Sequence, residues 1–494
     1  MSAADIAEAP LGAGIARAAA RTGGRTNAAE RIGAMDAVRG FAVCGILIRN
    51  IFVFAIPGLA YSLPLMWGGD EMADLQAWGF VELFVDGSMR ALFSLLFGAT
   101  ALLLLQKADS GGLAAVDYFY RRLMWLMLFG LVHAYLLLSP VDILFVYGCL
   151  GLMIFPLRNL RPRTLLIVAG AGLAVTALLS TLEWQITEEN AKQANAGTVI
   201  EAAQPVQPAT FVTKAEDGAG DAPIVLIGSG TNAAPADEAA EPDEETQAEE
   251  DATEAINQSW IADVADRREG YLYNLVTSAG TAFANHSTDL FKTHLVDVGA
   301  LILIGMAFFK LGIVTGARST RFYLMMLMLG YGVGVTVNGM EIMAAVLPAE
   351  EAGSTDWTSI TYDLGRIGNA FGHLSLIVLL TRLPMATVFT SMLKATGRLA
   401  LTNYLLQTMV FTGLFFGYGF GLYGSFSHSQ LLLMAFAMIA VQLVGSRLYL
   451  MAFSQGPFEW LLRRLIVWKS AKPALTLPSM PPKSPATAPT ATTA

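Results

Sequence analysis

The feature that most constrains this chain is the run over residues 119–155. It has two apolar limbs, joined at Ser139-Pro140 and flanked by arginines at both open ends. Each limb is about 18 residues, close to the ~20 that cross ~30 Å of hydrocarbon at 1.5 Å per residue. Arg121 and Arg122 mark one open end, and Arg158, Arg161 and Arg163 the other. Basic residues stay on the cytoplasmic side of a bilayer, so both open ends are expected there and the turn outside. Just inside the turn lie His133 and Asp142, the two ionisable groups of the limbs.

The same pattern repeats along the chain. Only 14% of its residues are charged and 54% are hydrophobic, against roughly 25% charged in soluble domains. The sequence predicts an all-α integral membrane protein, a polytopic bundle of about ten transmembrane helices with both termini cytoplasmic. The short loops expected inside hold Arg318, Arg321, Arg382, Lys394, Arg398, Arg463 and Arg464, whereas Asp70, Glu71, Glu350 and Glu351 fall outside. Residues 1–30 read as a disordered cytoplasmic tail with no apolar core, so no cleaved signal peptide is expected. Residues 31–185 hold spans 1–5, and residues 269–469 hold spans 6–10 plus an interfacial helix. Residues 470–494 form a Pro, Ala and Thr tail. Between the two halves, residues 186–268 read as a disordered acidic tether. Residues 188–254 carry 16 acidic and two basic side chains, and such a composition buries too little apolar area to offset the entropy of ordering. The rest of the chain is net basic, which suits helix ends at an anionic leaflet rather than nucleic acid.

Ionisable groups inside spans are costly and usually face a bundle interior or a wet cavity. His133 and Asp142 differ by only ~6 Å in depth across the turn. They form either a polar staple between the limbs or a general base oriented by a carboxylate. Arg49 needs a partner among Asp86, Asp142 and Asp297, and reads as a snorkelling side chain or an anion clamp; Arg90 has the same two readings. Arg366, Asn369 and His373 share one face of span 8 and would line a substrate cavity. Toward the inside, Asp36 and Arg39 stand at i and i+3, where they can pair with each other or bind a phosphate. Arg398 and Asn403 join them as donor-binding candidates. No HxxxH or HExxH spacing occurs, so no metal site is expected. Cys44 and Cys149 lie within spans and read as small apolar residues, with no disulfide framework. Gly-rich pieces such as GYGVGVTVNG lie in apolar helices, where Gly permits close packing.

Several stretches carry a resemblance. They are MDAVRGFAVCGILIRNI, RALFSLLFGAT, YRRLMWLMLFGLVHAYLLLSPVDILFVYGCLG, LIGMAFFKLGIV, GRLALTNYLLQT and GPFEWLLRR. In order and spacing they resemble the YeiB-like family, which carries the domain of unknown function 418. That family is distantly similar to transmembrane acyltransferases of the acyltransferase-3 and heparan-glucosaminide acetyltransferase types. The resemblance implies acyl transfer from a cytoplasmic acyl-CoA to an envelope glycan or lipid acceptor, in a bacterial inner membrane. The D-x-x-R-G of those patterns matches at Asp36, Arg39 and Gly40. Their histidines do not: Arg49 and Asn50 stand in one place, and Trp67 has no preceding His in the other. The resemblance therefore leaves His133 or His373 to serve as base. The alternatives are a transporter or flippase-like binder of an anionic small molecule, and a non-catalytic membrane scaffold.

Overall fold

A computed structural model describes residues 28–64, 67, 72–111, 113–194, 244–346 and 357–467. Among these residues the chain is helical, with no strand. The tails expected at residues 1–30 and 470–494 lie almost wholly outside them. The main helices are α1 (Ala28–Ala55), α2 (Met72–Phe84), α3 (Ser88–Gly111), α4 (Leu113–Leu131) and α5 (Leu144–Ile154). There follow α6 (Pro162–Ala194), α7 (Glu244–Arg268), α8 (Tyr271–His286), α9 (Leu295–Lys310) and α10 (Thr320–Val346). The last are α11 (Trp357–Leu380), α12 (Thr387–Arg398), α13 (Ala400–Phe415), α14 (His428–Ala452) and α15 (Pro457–Val467). Pro162 and Pro457 open α6 and α15, where a missing N–H costs nothing.

Five of the described stretches are long and apolar enough to cross a membrane: Ile32–Ala55, Met72–Leu105, Pro162–Leu179, Thr320–Val346 and His428–Ala452. Two bent pairs pass the same test together. Tyr271–Lys292 meets Leu295–Lys310 at 68°, and Thr361–Leu380 meets Pro384–Arg398 at 100°. These helices make the chain a helical membrane protein. Ile32–Ala55 and Met72–Leu105 are mostly buried, whereas the other three single spans present apolar side chains outward, such as Leu178, Met328 and Leu433. A helix that is apolar on its exposed face is suited to lipid.

Three stretches differ from the sequence reading. Residues 58–87 are expected from the sequence as an outer loop with an amphipathic segment near Leu75 to Phe84; instead α2 covers 72–84 and runs into α3 as one 34-residue apolar stretch. Asp74, Glu82 and Asp86 disguise it, but Asp74 is capped by Ser427 and the Ser429 N–H, and Asp86 is paired to Arg49. The second limb of the hairpin is shorter than expected. After α4 the chain makes a π turn at Val132–Leu136 and passes through Leu138 at φ 55 before α5 starts at Leu144. The segment expected as a tether is helical at both ends. α6 continues to Ala194 and α7 covers Glu244–Arg268, while residues 195–243 lie outside the described residues. In α7 the acidic composition hides one apolar stripe, Ile256, Trp260 and Val264, at helical spacing. Trp260 is buried and meets Trp67 edge-on at 5.4 Å.

Two close approaches set the geometry around the site. Gly87 takes φ 61, a conformation natural to glycine, and breaks the α2–α3 stretch. At Gly40 and Gly397 the backbones of α1 and α12 touch: a Cβ on Gly40 would overlap the Leu393 carbonyl, and one on Gly397 the Asp36 carbonyl. α12 turns by 100° from the helix before it, and its Lys394 and Arg398 border the same cavity as Arg122, at what is called here the basic end.

Candidate functional site

The hairpin pair forms as its depth predicted, but with more partners. His133 Nδ1 lies 2.8 Å from Asp142 Oδ1. The carboxylate can only accept, so Nδ1–H donates and the imidazole Nε2 accepts the Thr408 hydroxyl at 2.7 Å. Asp142 also accepts the backbone N–H groups of Leu144 and Phe145 at 3.2 and 3.0 Å, which satisfies the free donors that open α5. On the carboxylate's other side, His286 Nε2 lies at 3.2 Å, with its ring 4.4 Å from Phe145. His133 and Asp142 are both buried, and Tyr404 lies over His133 at 4.8 Å between ring centroids. Thr408 and His286 were missed in the sequence. Thr408 closes the GRLALTNYLLQT stretch, and His286 ends a short amphipathic segment; neither spacing announces a partner more than a hundred residues away.

The residues expected to bind substrate are brought together differently. Arg366 is buried and paired with Asp297 and Asp363, with Arg90 3.5 Å from the same Asp297. Arg49 donates to Asp86 at 2.5 Å and stacks on Tyr61 at 3.8 Å. Asn369 and His373 do not border the cavity described below. Asn369 donates to the Leu83 carbonyl at 2.7 Å, and His373 Nε2–H to the Phe84 carbonyl at 2.7 Å, while Tyr331 donates to its Nδ1. Those carbonyls are the ones freed where α2 breaks, and backbone at membrane depth must be satisfied by protein. The polar face of α11 is explained by the break it covers.

Three of the four donor candidates, Asp36, Arg39 and Arg398, border one cavity. A cavity of ≈ 940 Å³ opens between α1, α3, α4, α5, α12, α13 and α15, near the upper end for small-molecule sites. Arg39, Arg122, Lys394, Arg398 and Arg463 border it, against Asp36 and Glu459. Asp36 is engaged by Arg39 at 2.8 Å, and Glu459 by the Thr402 N–H at 3.0 Å and by its hydroxyl. The space therefore carries excess positive charge at the basic end. Its deeper walls are Phe93, Leu96, Leu126, Ile143, Leu144 and Tyr404. Along α3, Phe93 to Leu104 corresponds to ~16 Å of depth, half the hydrocarbon thickness. Asn403 is not in the lining: it donates to Ser446 Oγ at 3.0 Å and ties α13 to α14.

Residues 308–469 match the family described as Protein of unknown function (DUF418). Uncharacterized protein YxaH of Bacillus subtilis (strain 168) is 29% identical over 450 residues, which is 90% of this chain and 94% of that protein. Uncharacterized protein YeiB of Escherichia coli (strain K12) is 27% identical over 461 residues, 90% of this chain and 99% of the relative. A third, the uncharacterized 39.9 kDa protein in the amylase 3' region of Bacillus acidopullulyticus, is 32% identical over 132 residues, 27% of this chain and 35% of its own length. No solved structure matches the chain.

Proposed function

We propose that this chain, which belongs to the YeiB-like family of proteins of unknown function (DUF418), is a membrane acyltransferase that takes an acyl-CoA from the cytoplasmic side. In this reading it sits in a bacterial inner membrane with about ten spans. Both termini and the basic end face the cytoplasm, as the distribution of arginines favours. The acceptor is an envelope glycan or lipid reached from the opposite end.

One observation carries the reading: the cavity is basic at its mouth, apolar in its body, and ends against the wall that covers His133 and Asp142. That shape suits a long donor with a phosphate head and an oily tail. Arg39, already steered by Asp36 and by Thr100 Oγ1 at 2.9 Å, holds the head together with Arg398. The apolar walls take the acyl chain, and His133, with Asp142 fixing its tautomer, moves the proton. A transporter of anionic solutes draws no support from Arg49 and Arg366. Their charges are spent on Asp86, Asp297 and Asp363.

The test is acyl-CoA binding to detergent-purified protein. Binding is expected, and Arg39→Gln should weaken it about tenfold or more, because a charge-assisted hydrogen bond contributes ~1.5–3 kcal/mol and 1.4 kcal/mol is tenfold. Arg398→Gln should act in the same direction. A protein that binds no acyl-CoA, yet takes up an anionic solute in vesicles, would reverse the assignment.

A further inference from the structure

We infer that Thr408 carries the acyl group as a covalent ester between donor and acceptor, which rests on the acyltransferase reading above. Three hydrogen-bonded side chains stand in the order of an orienting carboxylate, a base and a hydroxyl. Asp142 Oδ1 meets His133 Nδ1 at 2.8 Å, and His133 Nε2 meets Thr408 Oγ1 at 2.7 Å. The arrangement is that of an activated nucleophile, recognised by geometry rather than by position in the chain. All three are buried, in a bundle where ionisable groups are costly to place.

The end of the donor cavity abuts this chain of bonds from two of its elements. Ile143 and Leu144, which follow Asp142 directly, form part of the end wall. Tyr404, four residues before Thr408 and so on the same face of α13, forms another part and covers the His133 ring. The Tyr404 hydroxyl donates to the Val141 carbonyl at 2.8 Å. Tyr404 thus stands between the cavity and the His133 ring, with its hydroxyl held by the backbone of Val141 and Ile143. In this inference the Tyr404 side chain swings off that backbone to admit the donor carbonyl to Thr408.

The reaction runs in two halves. Thr408 Oγ bonds to the thioester carbonyl carbon while its proton passes to His133 Nε2. The carbon–sulfur bond breaks, and the thiolate leaves with that proton as free CoA thiol. In the second half an acceptor hydroxyl attacks the Thr408 ester, its proton passes to His133 Nε2, and the Thr408 oxygen takes that proton as it leaves. Because the hydroxyl is buried, water is excluded and the ester persists until an acceptor arrives.

The experiment incubates the full-length protein in detergent with palmitoyl-CoA and no acceptor. It reads intact mass, peptide mass and released thiol. The expected result is a gain of one acyl group per chain, located on Thr408, with one equivalent of thiol. Thr408→Val, which preserves the volume, should abolish the adduct with donor affinity unchanged. Thr408→Ser should retain it, an outcome that a purely structural hydroxyl would not produce. His133→Gln should slow its formation by about 100-fold or more, the usual contribution of a general base. Donor binding at full affinity with no adduct, or an adduct that survives Thr408→Val, would overturn the covalent step and leave the acyltransferase reading standing. Failure to bind palmitoyl-CoA at all would overturn the reading and this inference together.

Discussion

An Arg366→Met substitution is expected to cost about 3–5 kcal/mol of stability, the usual result of removing one partner from a buried ion pair. Methionine replaces the aliphatic stem and removes the guanidinium, so the loss is chiefly that of the charged partner. Arg366 is almost wholly buried and holds Asp297 and Asp363, on α9 and α11. Without it, the ion pair left to Asp297 among the described residues is with Arg90, a more exposed partner at 3.5 Å. The measurement is reversible unfolding in mild detergent, or the midpoint of thermal aggregation where unfolding is irreversible. Adding Asp297→Asn to Arg366→Met should recover part of the loss, because it removes the stranded charge, and the cycle of single and double variants isolates the pair. Arg90→Gln is the comparison, expected to cost less than Arg366→Met, because Arg90 is the more exposed and more distant partner and Asp297 keeps Arg366. Were Arg366→Met as mild as Arg90→Gln, Arg366 would be reachable by water and available to an anionic ligand after all.

The contrast between these arginines shows which parts of the site could be read in advance. Asp36 with Arg39, three residues apart, and His133 with Asp142, across one turn, were visible because both partners sit on elements adjacent in sequence. Arg49 with Asp86 came from a short choice of acids at the same depth. Arg366 with Asp297 did not, because depth alone leaves open which helices are neighbours around the bundle. Thr408 and His286 were hidden for the same reason, each meeting the hairpin from a distant helix. Asn369 and His373 look functional in a sequence because polarity in a span demands a partner; here the partner is the Leu83 and Phe84 backbone, exposed by a break at Gly87 that hydropathy does not report. α7 was lost to averaging: its mean composition is acidic, and the stripe through Trp260 occupies only one face.

Gly40→Val should have the larger consequence for function, a loss of acyl-CoA binding of at least about 100-fold, equivalent to ~2.7 kcal/mol. Gly40 closes the D-x-x-R-G stretch, which lies along one wall of the cavity. Asp36 and Arg39 turn one side of α1 toward the cavity, while Gly40 lets α12 lie directly on the same turn. The obstruction to a Cβ is the Leu393 carbonyl, and the reciprocal obstruction at Gly397 is the Asp36 carbonyl. Backbone cannot rotate aside as a side chain can, so the helices must separate, at the ~1–3 kcal/mol or more that overpacking costs. Lys394 and Arg398 ride on α12 and border the cavity, so separation moves two of its cations away from Arg39. Gly397→Val should therefore reproduce the defect from the other helix. Gly170→Val on α6, where an added Cβ meets nothing within 4 Å, should leave both stability and affinity close to the parent. Thermal stability and donor affinity are measured together on all three. A Gly40→Val protein that melts and binds like the parent would mean that α1 and α12 are not in backbone contact, and the basic mouth would lose the helix that supplies two of its charges.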